Sequence, residues 1–146
     1  MKAILTAATI CICLFCQCNA GKKTGSSKKN DLSQLSGTWE LNYTSGSESA
    51  LQELYPGRKP RIFFDVSGKR ISCVTGCNSF AGPLKTDGDK IDFTDPMILT
   101  KMFCPGDGET IFLDKLKKAD TWHIIDGITL DLAMENMSVL RFTKLQ

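Results

Sequence analysis

Beyond residue 30 the chain holds three cysteines, Cys73, Cys77 and Cys104, and the sequence has a single histidine, His123. These four are the residues whose types could do chemistry. A three-cysteine, one-histidine set can hold structural zinc, and the C-x₃-C spacing of Cys73 and Cys77 is tolerable for it, provided the thiols stay reduced. A cysteine beside a histidine can form a nucleophile–base pair, although one histidine is a thin basis for it. Thiol–disulfide exchange is the strongest enzymatic option. It usually needs an activated cysteine in a C-x-x-C motif at a helix start, whereas these cysteines fall on strand and loop. His123 lies in Trp122-His123-Ile124-Ile125, where alternation sets it opposite Trp122 and Ile124.

The carboxylates offer less. Asp87-Gly88-Asp89, Asp92 and Asp95 lack the spacing and the bidentate glutamate of a calcium loop, so they read as turn chemistry. Glycoside hydrolysis needs two carboxylates facing each other across a cleft, and the scattered acids suggest no such pair. No metal and no cofactor are expected.

The N-terminal residues predict export. Lys2 supplies a positive start, and Ala3 to Phe15 is an uncharged apolar run, too short to span a bilayer. Residues 1–20 read as a signal peptide. Cys16 or Cys18 could carry a lipid, although Phe15 and Gln17 are larger than the small residue expected before a lipidated cysteine. Plain cleavage after Ala20 is the competing reading. The sequence that follows favours Cys18 as a lipidation site. Residues 21–34 open with Gly21 to Asn30, all polar or glycine with four lysines, and read as a flexible tether. The expected location is the periplasm or a membrane-anchored lipoprotein of a bacterial envelope. That compartment is oxidising, which competes with zinc for thiolates and favours cross-links in small domains.

Residues 35–146 have the length of one small domain. The chain has 18 Lys and Arg against 16 Asp and Glu, but Lys2 and the four tether lysines lie outside this domain; 13 against 16 leaves a net of −3 from residue 31 on. The basic surplus therefore belongs to the N-terminal part, and no nucleic-acid partner is expected.

Gly37 to Tyr43 alternates, which predicts a strand with Trp39, Leu41 and Tyr43 on one face. Ser47 to Tyr55 predicts a loop with a helical turn, stopped by Pro56-Gly57. Pro60–Val66 and Lys69–Val74 form a hairpin about Ser67-Gly68. Phe80–Lys85 and Lys90–Phe93 are further strands. Glu109–Ala119 carries Phe112, Leu113, Leu116 and Ala119 on one helical face, with Asp107 as N-cap and three lysines near its end. Thr121–Asp126, Ile128–Leu132 and Met137–Thr143 close the chain as strands. Short turns between consecutive strands force antiparallel pairing. The expected fold is mainly β: a curled antiparallel sheet or incomplete small barrel with one packed helix at about 109–119.

Several segments together resemble the META domain family, which includes heat-shock proteins of the HslJ type. They are Leu35-Ser36-Gly37-Thr38-Trp39-Glu40-Leu41, Ile62-Phe63-Phe64-Asp65, Gly76-Cys77-Asn78-Ser79-Phe80-Ala81-Gly82, Thr100-Lys101-Met102-Phe103-Cys104, Glu109 and Gly127-Ile128-Thr129-Leu130. The resemblance implies an exported or envelope protein tied to stress, antibiotic tolerance or virulence, with an incomplete barrel similar to that of a lipid-binding pilot protein. The family has no established catalytic residues. Its cysteine pair matches Cys77 and Cys104, which implies a disulfide worth roughly 3–4 kcal/mol by loop closure. No role carries over to Cys73. It reads as a buried inert thiol, with pairing to Cys77 or to another molecule left open; an extended segment would hold Cys73 and Cys77 roughly 13 Å apart. Gly76 and Gly82 are expected to serve positive φ or a bulge. Asn78 is expected to bond its own turn or to touch a ligand. Phe80 and Met102 complete the motif residues.

Phe63, Phe64, Phe80, Phe93, Phe103, Phe112 and Phe142 are the expected core, or the lining of a cavity for an apolar ligand. The function expected is non-enzymatic: a monomer that binds an envelope partner protein or an apolar small ligand, with a membrane contact if Cys18 is acylated. The alternative is a thiol–disulfide redox enzyme using Cys77 and Cys104.

Overall fold

The structure, a computed structural model, describes residues 31–47 and 50–146. The signal peptide, Cys18 and the tether up to residue 30 lie outside the described residues. The tether's expected last residues do not behave as linker. Asp31 Oδ1 accepts from the Ser33 N–H at 3.0 Å and starts a 3-10 turn over Leu32–Leu35. Leu35 is fully buried, and its carbonyl accepts from Trp39 Nε1 at 2.7 Å.

The elements follow as β1 (Gly37–Thr44), α1 (Leu51–Leu54), β2 (Arg61–Asp65), β3 (Arg70–Val74), β4 (Ser79–Pro83), β5 (Lys85–Asp87), β6 (Lys90–Asp92), β7 (Ile98–Leu99), α2 (Gly108–Lys118), β8 (Thr121–Ile125), β9 (Thr129–Met134) and β10 (Met137–Lys144). The strands form one 10-stranded antiparallel sheet in the order β5-β6-β8-β9-β10-β1-β2-β3-β4-β7. β4 and β5 lie far apart in that order yet are consecutive in the chain. Only Leu84 separates them, and its N–H donates to the Lys69 carbonyl at 2.9 Å. The sheet must therefore curl back on itself, as a half-barrel with one main helix. The strand expected over Phe80–Lys85 is thus two strands serving different neighbours, split at Leu84.

Alternation sets which face is buried. Trp39, Ile62, Cys73 and Phe80 are cross-strand partners on the inner face, each at most 3% exposed. The α2 side chains Phe112 and Leu116 close over this interior, and Phe112 meets Phe142 edge-on with ring centroids 6.3 Å apart.

Three expected core positions are corrected. Tyr43 does not share the buried face of Trp39 and Leu41; the pairing with β10 shifts register between Leu41 and Tyr43, which turns Tyr43 outward and Thr44 inward. Phe63 and Phe103 are not core. Phe63 adjoins buried Phe64 in β2, and a strand cannot send neighbours to one face. Phe103 sits on an open loop. Asp107 is the N-cap of α2, as expected, and its carbonyl accepts the first intrahelical bond from the Ile111 N–H, but its backbone is helical (φ −101°, ψ −1°) and its side chain makes no capping bond. β7 is an element that periodicity could not show, since two residues carry no pattern.

Candidate functional site

The signature segment turns the chain from β3 into β4. Gly76 has φ +99°, a conformation that favours glycine. The Thr75 N–H donates to the Asn78 carbonyl at 2.8 Å, and the Asn78 N–H donates to Thr75 Oγ1 at 3.0 Å. Thr75 and Asn78 are 1% and 3% exposed, so their side chains need partners inside the protein.

Asn78 finds them on the loop that leads to α2. Its Oδ1 accepts from the Met102 N–H at 2.7 Å and from Thr100 Oγ1 at 3.0 Å. Its Nδ2 donates to the Met102 carbonyl at 3.1 Å and to Glu109 Oε2 at 2.9 Å. Both amide hydrogens are thereby used. The Thr75 hydroxyl donates to the other carboxylate oxygen, Glu109 Oε1. Glu109 is the acid of the first turn of α2, where the helix dipole favours negative charge. It ties that helix to the signature turn.

Cys77 and Cys104 are joined by a disulfide that bridges the same two segments, 27 residues apart. Cys104 Sγ lies 3.0 Å from Asn78 Nδ2 and 3.2 Å from Glu109 Oε2. The sulfur has no hydrogen to donate, so the second distance is a contact with a carboxylate rather than a bond.

Tyr55, just past α1, fills the space behind this knot. It is 5% exposed, and its hydroxyl donates to the Gly108 carbonyl at 2.7 Å. A Cβ on Gly76 would lie 2.8 Å from the Arg58 carbonyl oxygen and 3.0 Å from the Tyr55 ring. A Cβ on Gly108 would lie 2.5 Å from the Leu54 carbonyl oxygen and 2.9 Å from that ring. Two glycines thus make room for one tyrosine. Burial, with the nearby Cys73 charge adding to it, pushes the Tyr55 phenol up to about 12.

The other expected residues fall as follows. Cys73 is a free, buried thiol on β3, pushed well above its ordinary pKa by burial and then by the Glu109 charge. Gly82 does not serve positive φ; its bare Cα lets Met97 approach, where a Cβ would lie 3.2 Å from Met97 Cγ. Asn78 does not bond its own turn through its side chain but spans to the facing loop. Phe80 is buried, and Met102 is exposed. His123 is exposed on β8, in register with Asp131. Among the described residues no group of three His, Cys, Asp or Glu is placed to hold a metal ion. Asp92 takes the Thr94 N–H and hydroxyl, both at 2.7 Å, which is turn chemistry.

Two parts of the site were not evident from sequence reasoning. Thr75 and the pairing of Tyr55 with Gly108 depend on chain segments 34 and 53 residues away. The other part is a trench on the outer face of the sheet. Thr38, Phe63, Ser72, Ala81 and Ile98 are successive cross-strand partners from β1 to β7. Small Ser72 and Ala81 form the floor between Phe63 and Ile98, which are 45% and 83% exposed. The cavity measures about 540 Å³, and among the described residues Arg61 is the one charged residue lining it. The signal for it was the adjacency of Phe63 and Phe64, of which only one can face inward.

A family model described as META domain matches residues 31–146. No curated protein matches the chain. Three solved structures share the fold. An NMR structure of a protein from Burkholderia xenovorans is 21% identical with a TM-score of 0.60, the alignment covering 79% of this chain and 86% of that one. A second NMR structure is 18% identical with a TM-score of 0.56, covering 78% and 95%. The crystal structure of a DUF4847 family protein from Bacteroides vulgatus is 16% identical with a TM-score of 0.51, covering 77% and 96%. From the profile match over nearly the whole described chain, this protein belongs to the META domain family.

Proposed function

We propose that this META domain is a non-enzymatic envelope protein, associated with stress or antibiotic tolerance, that holds an apolar ligand or the apolar side chains of a partner protein. The observation that carries this reading is the outer trench. It is concave, walled by Phe63, Val74 and Ile98, and floored by small side chains. An exposed apolar trench of this kind stabilises whatever covers it. The surroundings of the disulfide support holding over conversion. Glu109 Oε2 stands 3.2 Å from Cys104 Sγ, and a carboxylate there opposes thiolate formation, the reverse of an activated redox cysteine.

Thermal unfolding in the presence of fatty acids and hydrophobic antibiotics tests the reading. A ligand at a hundredfold excess over its Kd is expected to raise the Tm by roughly 10 °C. Ala81→Phe fills the trench floor from outside the core and is expected to abolish the rise while the unliganded Tm stays in place. A rise that survives this substitution, or no rise with any ligand, sinks the trench as a small-molecule site.

A further inference from the structure

β7 is the last strand at one end of the sheet and pairs on one side only, with β4. Alternation decides which of its backbone groups that pairing uses. In an antiparallel ladder, a residue that bonds its partner is followed by one whose N–H and C=O point the other way. The Thr100 N–H donates to the Ser79 carbonyl at 3.0 Å, and both backbone polar groups of Met102 are bonded by the Asn78 side chain. Lys101 stands between these two residues and Leu99 stands just before Thr100. The N–H and C=O of Leu99 and of Lys101 therefore face away from β4. These four groups have no hydrogen-bond partner among the described residues.

The same edge borders a cavity. Phe80, Met97 and Leu99 line it together with Pro96 and with Leu113 and Lys117 of α2. It measures about 220 Å³, room for one large apolar side chain. Asp95 also lines it but is paired with Lys85 at 2.6 Å, whereas Lys117 has no ion-pair partner among the described residues. Cross-strand partners put their side chains on one face of a sheet. In a strand laid antiparallel on the open side of β7, a single residue would bond both backbone groups of Leu99. The side chain of that same residue would lie on the face of Leu99, where the cavity is.

We propose that this edge takes up an extended peptide segment of a partner protein as an added strand antiparallel to β7, with an apolar side chain in the cavity and an acidic one beside Lys117. Main-chain pairing gives such an edge its affinity, and pockets for alternate side chains give it selectivity. The edge is stiff before anything binds, since Asn78 holds Met102 and the disulfide holds Cys104, so little ordering cost falls on this side. A second copy of the chain fits less well. Its β7 could meet the four polar groups, but its Leu99 lines its own cavity and would leave this one empty. A small apolar molecule fills the cavity and leaves the four polar groups to water. An extended peptide satisfies both features at once. This site lies on the opposite face of the sheet from the trench and does not depend on the trench being occupied.

The test pans a phage-displayed library of random nonapeptides on the full chain, then titrates the tightest one as a synthetic peptide. The selected peptides are expected to share a large apolar residue with an acid close by, and binding is expected to slow amide hydrogen exchange at Leu99 and Lys101. Methylating the backbone nitrogen of that apolar residue is expected to weaken binding about tenfold, the worth of one backbone bond. Lys101→Pro removes an N–H on the open side, where an edge strand tolerates proline, and is expected to weaken binding by a similar factor while the Met102 amide stays protected. An empty selection overturns the proposal. So does a peptide that leaves exchange at Leu99 and Lys101 unchanged, or one that binds as tightly after either change. Protection of these two amides that grows with protein concentration in the absence of peptide also overturns it, in favour of a second copy as occupant. The ligand-induced Tm rise is measured without peptide, so each of these failures leaves the trench untouched.

Discussion

The side-chain amide of Asn78 satisfies both backbone polar groups of Met102, accepting from its N–H at 2.7 Å and donating to its carbonyl at 3.1 Å. It imitates one further rung of the sheet just beyond the end of the β4–β7 pairing. Asn78→Ala leaves these groups, Thr100 and Glu109 without their buried partner, and is expected to cost about 3 kcal/mol in urea unfolding.

Asn78→Asp separates geometry from charge. The acceptor bonds to Met102 and Thr100 remain possible, but a carboxylate oxygen replaces the nitrogen 2.9 Å from Glu109 Oε2. Two carboxylates that close cannot both ionise cheaply, so one is expected to titrate at raised pKa. Stability is then present at low pH and lost as pH rises through that pKa. Urea midpoints that increase from pH 7 to pH 4 relative to the native chain check this; a pH-independent deficit refutes it.

The disulfide closes a loop spanning 27 residues of separation. Replacing Cys77 and Cys104 together with serine is expected to lower stability by about 3.5 kcal/mol in the chain-entropy model. The folded spectrum should persist, since the Asn78 and Glu109 bonds still join the segments. If a thiol-dependent turnover disappears in a double variant that remains fully folded, the non-enzymatic reading fails.

Tyr55 predicts an alkaline weakness. Its phenol is held neutral up to about 12 in the folded chain against 10.0 ordinarily, because burial disfavours the phenolate. The unfolded chain ionises first. The stability is therefore fully present below pH 10 and declines as pH rises toward 12, by on the order of 2 kcal/mol. Cys73, also raised by burial, adds loss in the same direction from its ordinary 9.0 upward. Urea midpoints between pH 8 and 11.5 should fall steeply for the native chain and less so for Tyr55→Phe, which starts lower by about 1 kcal/mol for the lost bond to Gly108.

Gly108→Ala is expected to cost about 2–3 kcal/mol, since its Cβ would sit 2.5 Å from the Leu54 carbonyl oxygen, and backbone cannot yield as a flexible side chain does. Gly127→Ala has open space and only a positive φ to oppose it. It is expected to cost about 1 kcal/mol. Equal losses for the two would mean that α1 moves away from α2 freely, which thermal melts of both variants can decide.

The sequence by itself determined what short-range chemistry can specify. Alternation placed nearly every strand, because a half-buried strand must change face at each residue. The helical stripe of Phe112 and Leu116 placed α2. The signature segments identified the family and its cysteine pair. Tertiary structure alone decided the rest, since each remaining feature depends on register between segments far apart in the chain. The bulge that turns Tyr43 outward is set by pairing with β10. The division of 79–87 into two strands is set by which neighbours the curling sheet brings to each half. Phe63 had to point away from Phe64, but only the alignment of five strands made its face a trench. Asn78 shows the same limit at one residue: its type announced hydrogen bonding, and a loop 24 residues distant decided to what. Polar groups buried at a crossing of segments take their partners from the fold, and no local pattern carries that information.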